Sequence, residues 1–144
     1  MLFRSSGGNL PTLWRKSLNN VGTVPTFQDE EILPGVEDLQ VQLGIDYTGT
    51  TGIAQQYVNP VAAAALPSGA QVVAIRLWIL VRSDTAEPGF TDSRTYAYGN
   101  RSALSGTTHD LTGGSGAGFA YQPNDHYRRL LVSRTVMIRN VLGT

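Results

Sequence analysis

The chain contains no cysteine, a single lysine (Lys16) and no long uninterrupted apolar run. Without cysteine there is no disulfide framework, no thiol nucleophile and no zinc–thiolate site. The near-absence of lysine leaves ten arginines to balance eleven acids, for a net charge of zero. A neutral chain lacks the excess cation needed for general nucleic-acid or anionic-membrane binding. The best apolar run, Val72–Val81, is broken by Arg76 and is half the length a membrane span needs. The opening Met1-Leu2-Phe3-Arg4-Ser5-Ser6 lacks the apolar centre of a signal peptide. The chain as it stands is therefore expected to be soluble.

Its 144 residues suit a single domain spanning 1–144, long enough for a real hydrophobic core. Charged residues make up only 15%, which suggests a surface partly covered by something else. Six acids and no base lie between Asp29 and Asp46, while Arg128, Arg129, Arg134 and Arg139 crowd the C-terminal part. Pairing of these two regions within one fold is the simpler expectation, against two separate binding patches.

Periodicity supplies the strands. Leu39, Val41, Leu43 and Ile45 alternate with Gln40, Gln42, Gly44 and Asp46, giving a strand with one wet face. It follows the Pro34-Gly35 turn. From Ala70 to Arg82, both alternating faces are largely apolar, which predicts a central strand covered on two sides. Short strands are expected at Leu13–Lys16 and Thr95–Tyr98, and a last one within Tyr127–Val141, whose Arg128–Ser133 start also suits a helical turn. Loops are expected at Asn19–Pro25, at Ser83–Ser93 and over the long segment Gly99–Pro123. Val58–Leu66, with Ala62–Ala65 before Pro67, reads as a short helix. The fold class is thus α+β, mostly antiparallel β.

Catalytic motifs do not assemble. His109 and His126 each adjoin an acid, but neighbours on a strand point to opposite faces, so neither forms a dyad. A metal shared by the two histidines is the sharper reading, and exposed loop histidines the plainer one. Gly113–Gly118 lacks both the glycine spacing of a nucleophile elbow and the lysine of a phosphate loop. The Asp46–Thr51 turn lacks the further acids of a calcium loop. Asn100-Arg101-Ser102 fits a glycosylation sequon, a match common by chance. Tyr127-Arg128-Arg129 could stack and hold phosphate, or simply pack at a sheet edge. The expectation is a protein that is not an enzyme, with no catalytic, cofactor or metal residues.

Three stretches nevertheless form a pattern. Leu13-Trp14-Arg15 followed by Pro34–Asp46, the strand Val72–Ser83, and Tyr127-Arg128-Arg129 with Arg134–Asn140 resemble PilW-type minor pilins of bacterial type IV pili, in order and spacing, over nearly the whole chain. The J-type minor pseudopilin of type II secretion is a more distant likeness. The resemblance implies a pilin-like globular head without the family's basic leader and N-terminal helix. It also implies a structural subunit that helps initiate pilus assembly, in a tip or priming complex serving motility, adhesion or DNA uptake. The alternatives are a type II secretion pseudopilin and a nucleic-acid- or surface-binding adhesin module. The implied partners are other minor pilins, the major pilin and a tip adhesin, with no nucleic acid expected. The membrane is reached only through the missing helix. In the full-length protein the implied location is the periplasm and inner membrane, then the pilus tip.

Trp78, Leu80 and Val72 are expected to belong to the docking face for that helix, with Arg76 among them on the same strand face. Glu37 or Asp38 is expected to pair with Arg139.

Overall fold

A computed structural model describes residues 2–5, 10–21, 24–60, 65–99 and 120–138. The chain divides into two compact units, each assembled from separate segments. The first comprises Met1–Asp38, Ile79–Arg94 and Pro123–Leu131, and the second Leu39–Trp78, Thr95–Gln122 and Val132–Thr144.

In the first unit, strands β1 (Leu2–Ser5), β2 (Pro11–Val21) and β3 (Val24–Pro34) form an antiparallel sheet in that order. The β2–β3 pairing extends from Thr12↔Pro34 to Val21↔Val24, interrupted by a bulge at Leu13/Trp14. Both strands are longer than their composition advertises, because much of their surface faces water. Leu18, Phe27, Ile32 and Leu33 are all exposed. Ladder hydrogen bonds hold such a ribbon whatever its side chains are. The expected Asn19–Pro25 loop is therefore mostly strand. Pro25 is tolerated because β3 lies at the sheet edge, where a missing N–H breaks no ladder.

A second sheet has the order β5 (Gln56–Val58), β4 (Val36–Asp46), β6 (Gln71–Arg82), β9 (Arg129–Met137). The interior place of β6 agrees with its two apolar faces. Ser83 N–H donates to Arg128 O and Ile138 N–H to Val73 O, so β6 and β9 run antiparallel in constant register. A third, two-stranded pair joins β7 (Tyr96–Ala97) to β8 (Ala120–Tyr121), and the Tyr96 and Tyr121 rings lie 6.4 Å apart. Most of the expected Gly99–Pro123 loop, residues 100–119, lies outside the described residues. The ambiguous start of the last strand resolves as strand.

The α+β assignment, and with it the pilin-like head, is corrected: the described residues are nearly all β, in antiparallel sheets, with no helix among the elements. Val58 ends β5, and residues 61–64, the centre of the helix expected at Val58–Leu66, lie outside the described residues. The helical part of that assignment came from the Ala62–Ala65 run and from the resemblance. An alanine run has high helix propensity, but propensity alone does not decide the fold class. No helix among the described residues is long and apolar enough to cross a membrane.

Each unit has its own interior. Leu13, Val36 and Leu80 are buried in the first, together with the charged Glu37, Asp92 and Arg129. Ile45, Val73, Ala74, Tyr96 and Tyr98 are buried in the second, with Asp46.

Candidate functional site

The densest chemistry in the first unit surrounds Arg129, whose side chain is fully buried. Its Nε and Nη2 donate to the two Glu37 carboxylate oxygens at 2.6 and 2.8 Å. Its Nη1 and Nη2 also donate to Asp125 Oδ1 and Oδ2 at 2.6 and 2.7 Å. Asp92 stands 3.6 Å from the same guanidinium and binds Arg94 through Nε at 2.9 Å. Arg94 Nη2 further donates to Arg129 O. Arg82 approaches Glu37 at 3.9 Å and lies over the Tyr127 ring, 4.1 Å from its centre. Three carboxylates thus face three guanidiniums, and the Arg129 hydrogen bonds hold the Asp125 carboxyl below its ordinary pKa. Next to this cluster, Arg128 binds Glu87 and stacks on Phe90, while His126 Nδ1 meets Phe90 O. Carboxylates paired in this way orient a fold.

In the second unit, Asp46 organises the turn after β4. Its carboxylate accepts from the backbone N–H of Thr48, Gly49, Thr51 and Gly52 and from the hydroxyls of Thr48 and Thr51. These donors, led by the Thr48 hydroxyl, hold its pKa far below the usual carboxylate range. All six donors are the protein's own, so the turn is a self-contained cap.

The same unit displays two different sheet faces. On one, Arg76 lies over the Tyr57 ring at 3.6 Å and beside the Trp78 ring at 5.9 Å. Gly44 makes the stacking possible: a Cβ there would stand 3.0 Å from Tyr57 Cε1, 3.0 Å from Ala74 Cβ and 2.9 Å from Ala54 Cβ. An open cleft of about 430 Å³ follows, lined by Arg76, Trp78, Ser133, Arg134 and Thr135. The opposite face follows from strand alternation. It carries Leu39, Val41, Leu43 and Ile45 from β4, Val73, Ile75 and Leu77 from β6, and Val132, Arg134, Val136 and Ile138 from β9. Ile45 and Val73 are buried, but Leu39, Val41, Leu43, Ile75 and Leu77 are only half-buried, and Val136 is exposed.

The residues singled out from sequence therefore scatter. Leu80 is wholly interior to the first unit, whereas Trp78 and Val72 are half-buried in the second. Arg76 and Trp78 do meet, at the cleft. Glu37 and Asp38 are buried, and Arg139 lies outside the described residues. Of the acidic stretch, Glu37 does reach the C-terminal arginines, through Arg129. Asp29 and Glu30 instead pair with Lys16 and Arg15 across β2–β3. Asp92 escaped sequence reasoning because it sits in a loop with no periodic signal. His109 lies outside the described residues, and no metal-capable cluster occurs among those described.

Fold and site together define an antiparallel β protein with inward-facing ion pairs and a sheet that leaves aliphatic surface open. The chain belongs to the type IV pilus-assembly protein W family, PilW, which matches it over residues 2–140. Its work therefore lies in type IV pilus assembly, in company with other pilus components. No curated protein and no solved structure matches the chain.

Proposed function

We propose that the chain acts as a structural minor pilin subunit, without catalytic activity, that helps initiate assembly of the type IV pilus. The observation that carries this reading is the half-open aliphatic face on the second unit's sheet. Contiguous apolar surface of this kind marks an interaction site. Leu77 and Ile75 sit on interior strand β6, flanked on both sides, yet keep part of their surface accessible. Another pilus subunit docks its own apolar surface there, at the periplasmic side of the inner membrane and later in the pilus tip. Growth of a filament uses such heterologous contacts, which do not close on themselves.

The test is complementation of a strain lacking the gene, with surface pili counted by electron microscopy. The wild-type gene restores piliation. Leu77→Glu gives a folded protein, judged by circular dichroism, that fails to restore it. Normal pilus numbers with Leu77→Glu, or with the gene absent, overturn the reading.

A further inference from the structure

Two rows of side chains cross the Arg76 face of the second unit's sheet. The hydrogen bond from Ile138 N–H to Val73 O sets Thr135 opposite Arg76 and Ser133 opposite Trp78. Both are non-hydrogen-bonded positions, where facing side chains stand closest. Alternation sends the Arg134 side chain to the other, aliphatic face. Arg76 leans away from β9, with its guanidinium 3.6 Å from the centre of the Tyr57 ring. The cleft of about 430 Å³ lies on the side it leaves, beside Trp78, Ser133 and Thr135.

Trp78 is half-buried, and Gly99 lies at one edge of its indole, where a Cβ would stand 3.3 Å from Trp78 Cε3. Ser133 and Thr135 are exposed, and their hydroxyls carry no hydrogen bond among the described residues.

This lining is selective. The volume falls within the range of small-ligand clefts, about 300–1,000 Å³. Among the described residues no aliphatic side chain lines it, so an acyl chain would gain little there. No carboxylate lines it either, which leaves a divalent cation without its usual ligands. One guanidinium, already seated on a ring, is too little charge for a polyanion. What remains is an indole, a fixed guanidinium and two unpaired hydroxyls. A sugar ring matches all three. Its C–H groups form an apolar patch that stacks on an aromatic face. Its hydroxyls accept from a guanidinium and exchange hydrogen bonds with serine and threonine.

We propose that this cleft binds a neutral oligosaccharide, with one sugar ring on Trp78 and its hydroxyls held by Arg76, Ser133 and Thr135. The inference goes beyond the assembly role and uses the sheet face opposite the one assigned to subunit docking.

The experiment titrates the chain with millimolar maltose, lactose and di-N-acetylchitobiose, followed by NMR of the Trp78 indole N–H and the Ser133 and Thr135 amides. Sorbitol, which carries hydroxyls without a ring, is the control. At least one disaccharide shifts all three signals to saturation, and sorbitol shifts none. Trp78→Ala abolishes the binding. Thr135→Val removes an exposed hydroxyl but keeps a β-branched side chain. It weakens binding at least roughly threefold, with an unchanged dichroism spectrum. No saturating shift with any of the three sugars, equal shifts with sorbitol, or wild-type affinity in Thr135→Val overturns the proposal. So does tighter binding of an oligothreonine peptide that shifts the same signals. None of these results depends on the piliation counts with Leu77→Glu, so either idea can fail alone.

Discussion

Arg129 and Glu37, 92 positions apart in sequence, form a bidentate ion pair with both side chains buried. The pair joins the start of β4 to the start of β9. A buried ion pair adds little net stability over an apolar pair, but breaking one leaves an uncompensated charge in the interior. Arg129→Ala strands Glu37, Asp92 and Asp125 together. Urea denaturation is expected to show a loss of about 3–5 kcal/mol. The double variant Arg129→Met with Glu37→Leu should lose less than the sum of the two single changes. Strict additivity would show that the two residues are not coupled.

Acid should weaken the fold through Asp46 and Asp125. Both have folded-state pKa values below their ordinary ones, from the hydrogen bonds of Thr48 and its neighbours and of Arg129. A depressed carboxyl contributes stability that is complete above its unfolded pKa, about 3.9, and fades as pH falls toward the folded value. Unfolding free energy should be flat above about pH 5 and decline below about pH 4. Asp46→Asn should lower stability at neutral pH and remove up to about one proton from the acid slope. Chemical denaturation at stepped pH values measures both.

Gly49 and Gly89 offer a matched contrast. Both have positive φ, +66° and +82°. A Cβ on Gly49 would fall 2.2 Å from Gly69 O, whereas one on Gly89 meets nothing within 4 Å. Gly89→Ala should cost about 1 kcal/mol, the left-handed backbone strain alone. Gly49→Ala adds a collision with backbone and should cost more than about 2 kcal/mol. Thermal melts of the two variants compare them directly.

Leu18 and Phe27 stand opposite each other in the β2–β3 ribbon, 62% and 72% exposed. Replacing both with threonine removes exposed apolar surface and one cross-strand pair. The expected change in stability is below about 1 kcal/mol. A larger loss in a melt would place these side chains in the folded interior.

Strands with one-sided or two-sided apolar patterning were legible in advance. Leu39–Ile45 and Val72–Val81 are strands because period-two patterning survives wherever at least one face is buried. β3 was not legible, since Thr26, Gln28 and Glu30 share one side and both faces meet water. Two apolar faces on one strand also cannot be ranked from sequence. Leu80 is fully buried while Leu77 stays half-open, a difference that period-two patterning does not carry. The role of Arg129 was hidden for another reason: besides Asp125, four residues away, its partners Glu37 and Asp92 come from distant segments, and such contacts leave no local pattern. Arg76 and Trp78 were noticed as strand-mates, but the stack on Tyr57 depends on the absence of a side chain at Gly44.

The absence of cysteine permits a direct test of the docking face. A single Leu77→Cys change introduces one thiol on the half-open aliphatic surface, and Asp84→Cys places one on an exposed loop as control. Each variant is expressed in pilus-assembling cells and treated with a short bifunctional thiol–amine cross-linker. The account predicts that Leu77→Cys forms an adduct with another pilus subunit, in higher yield than Asp84→Cys. No adduct from Leu77→Cys, or equal adducts from both positions, would contradict it.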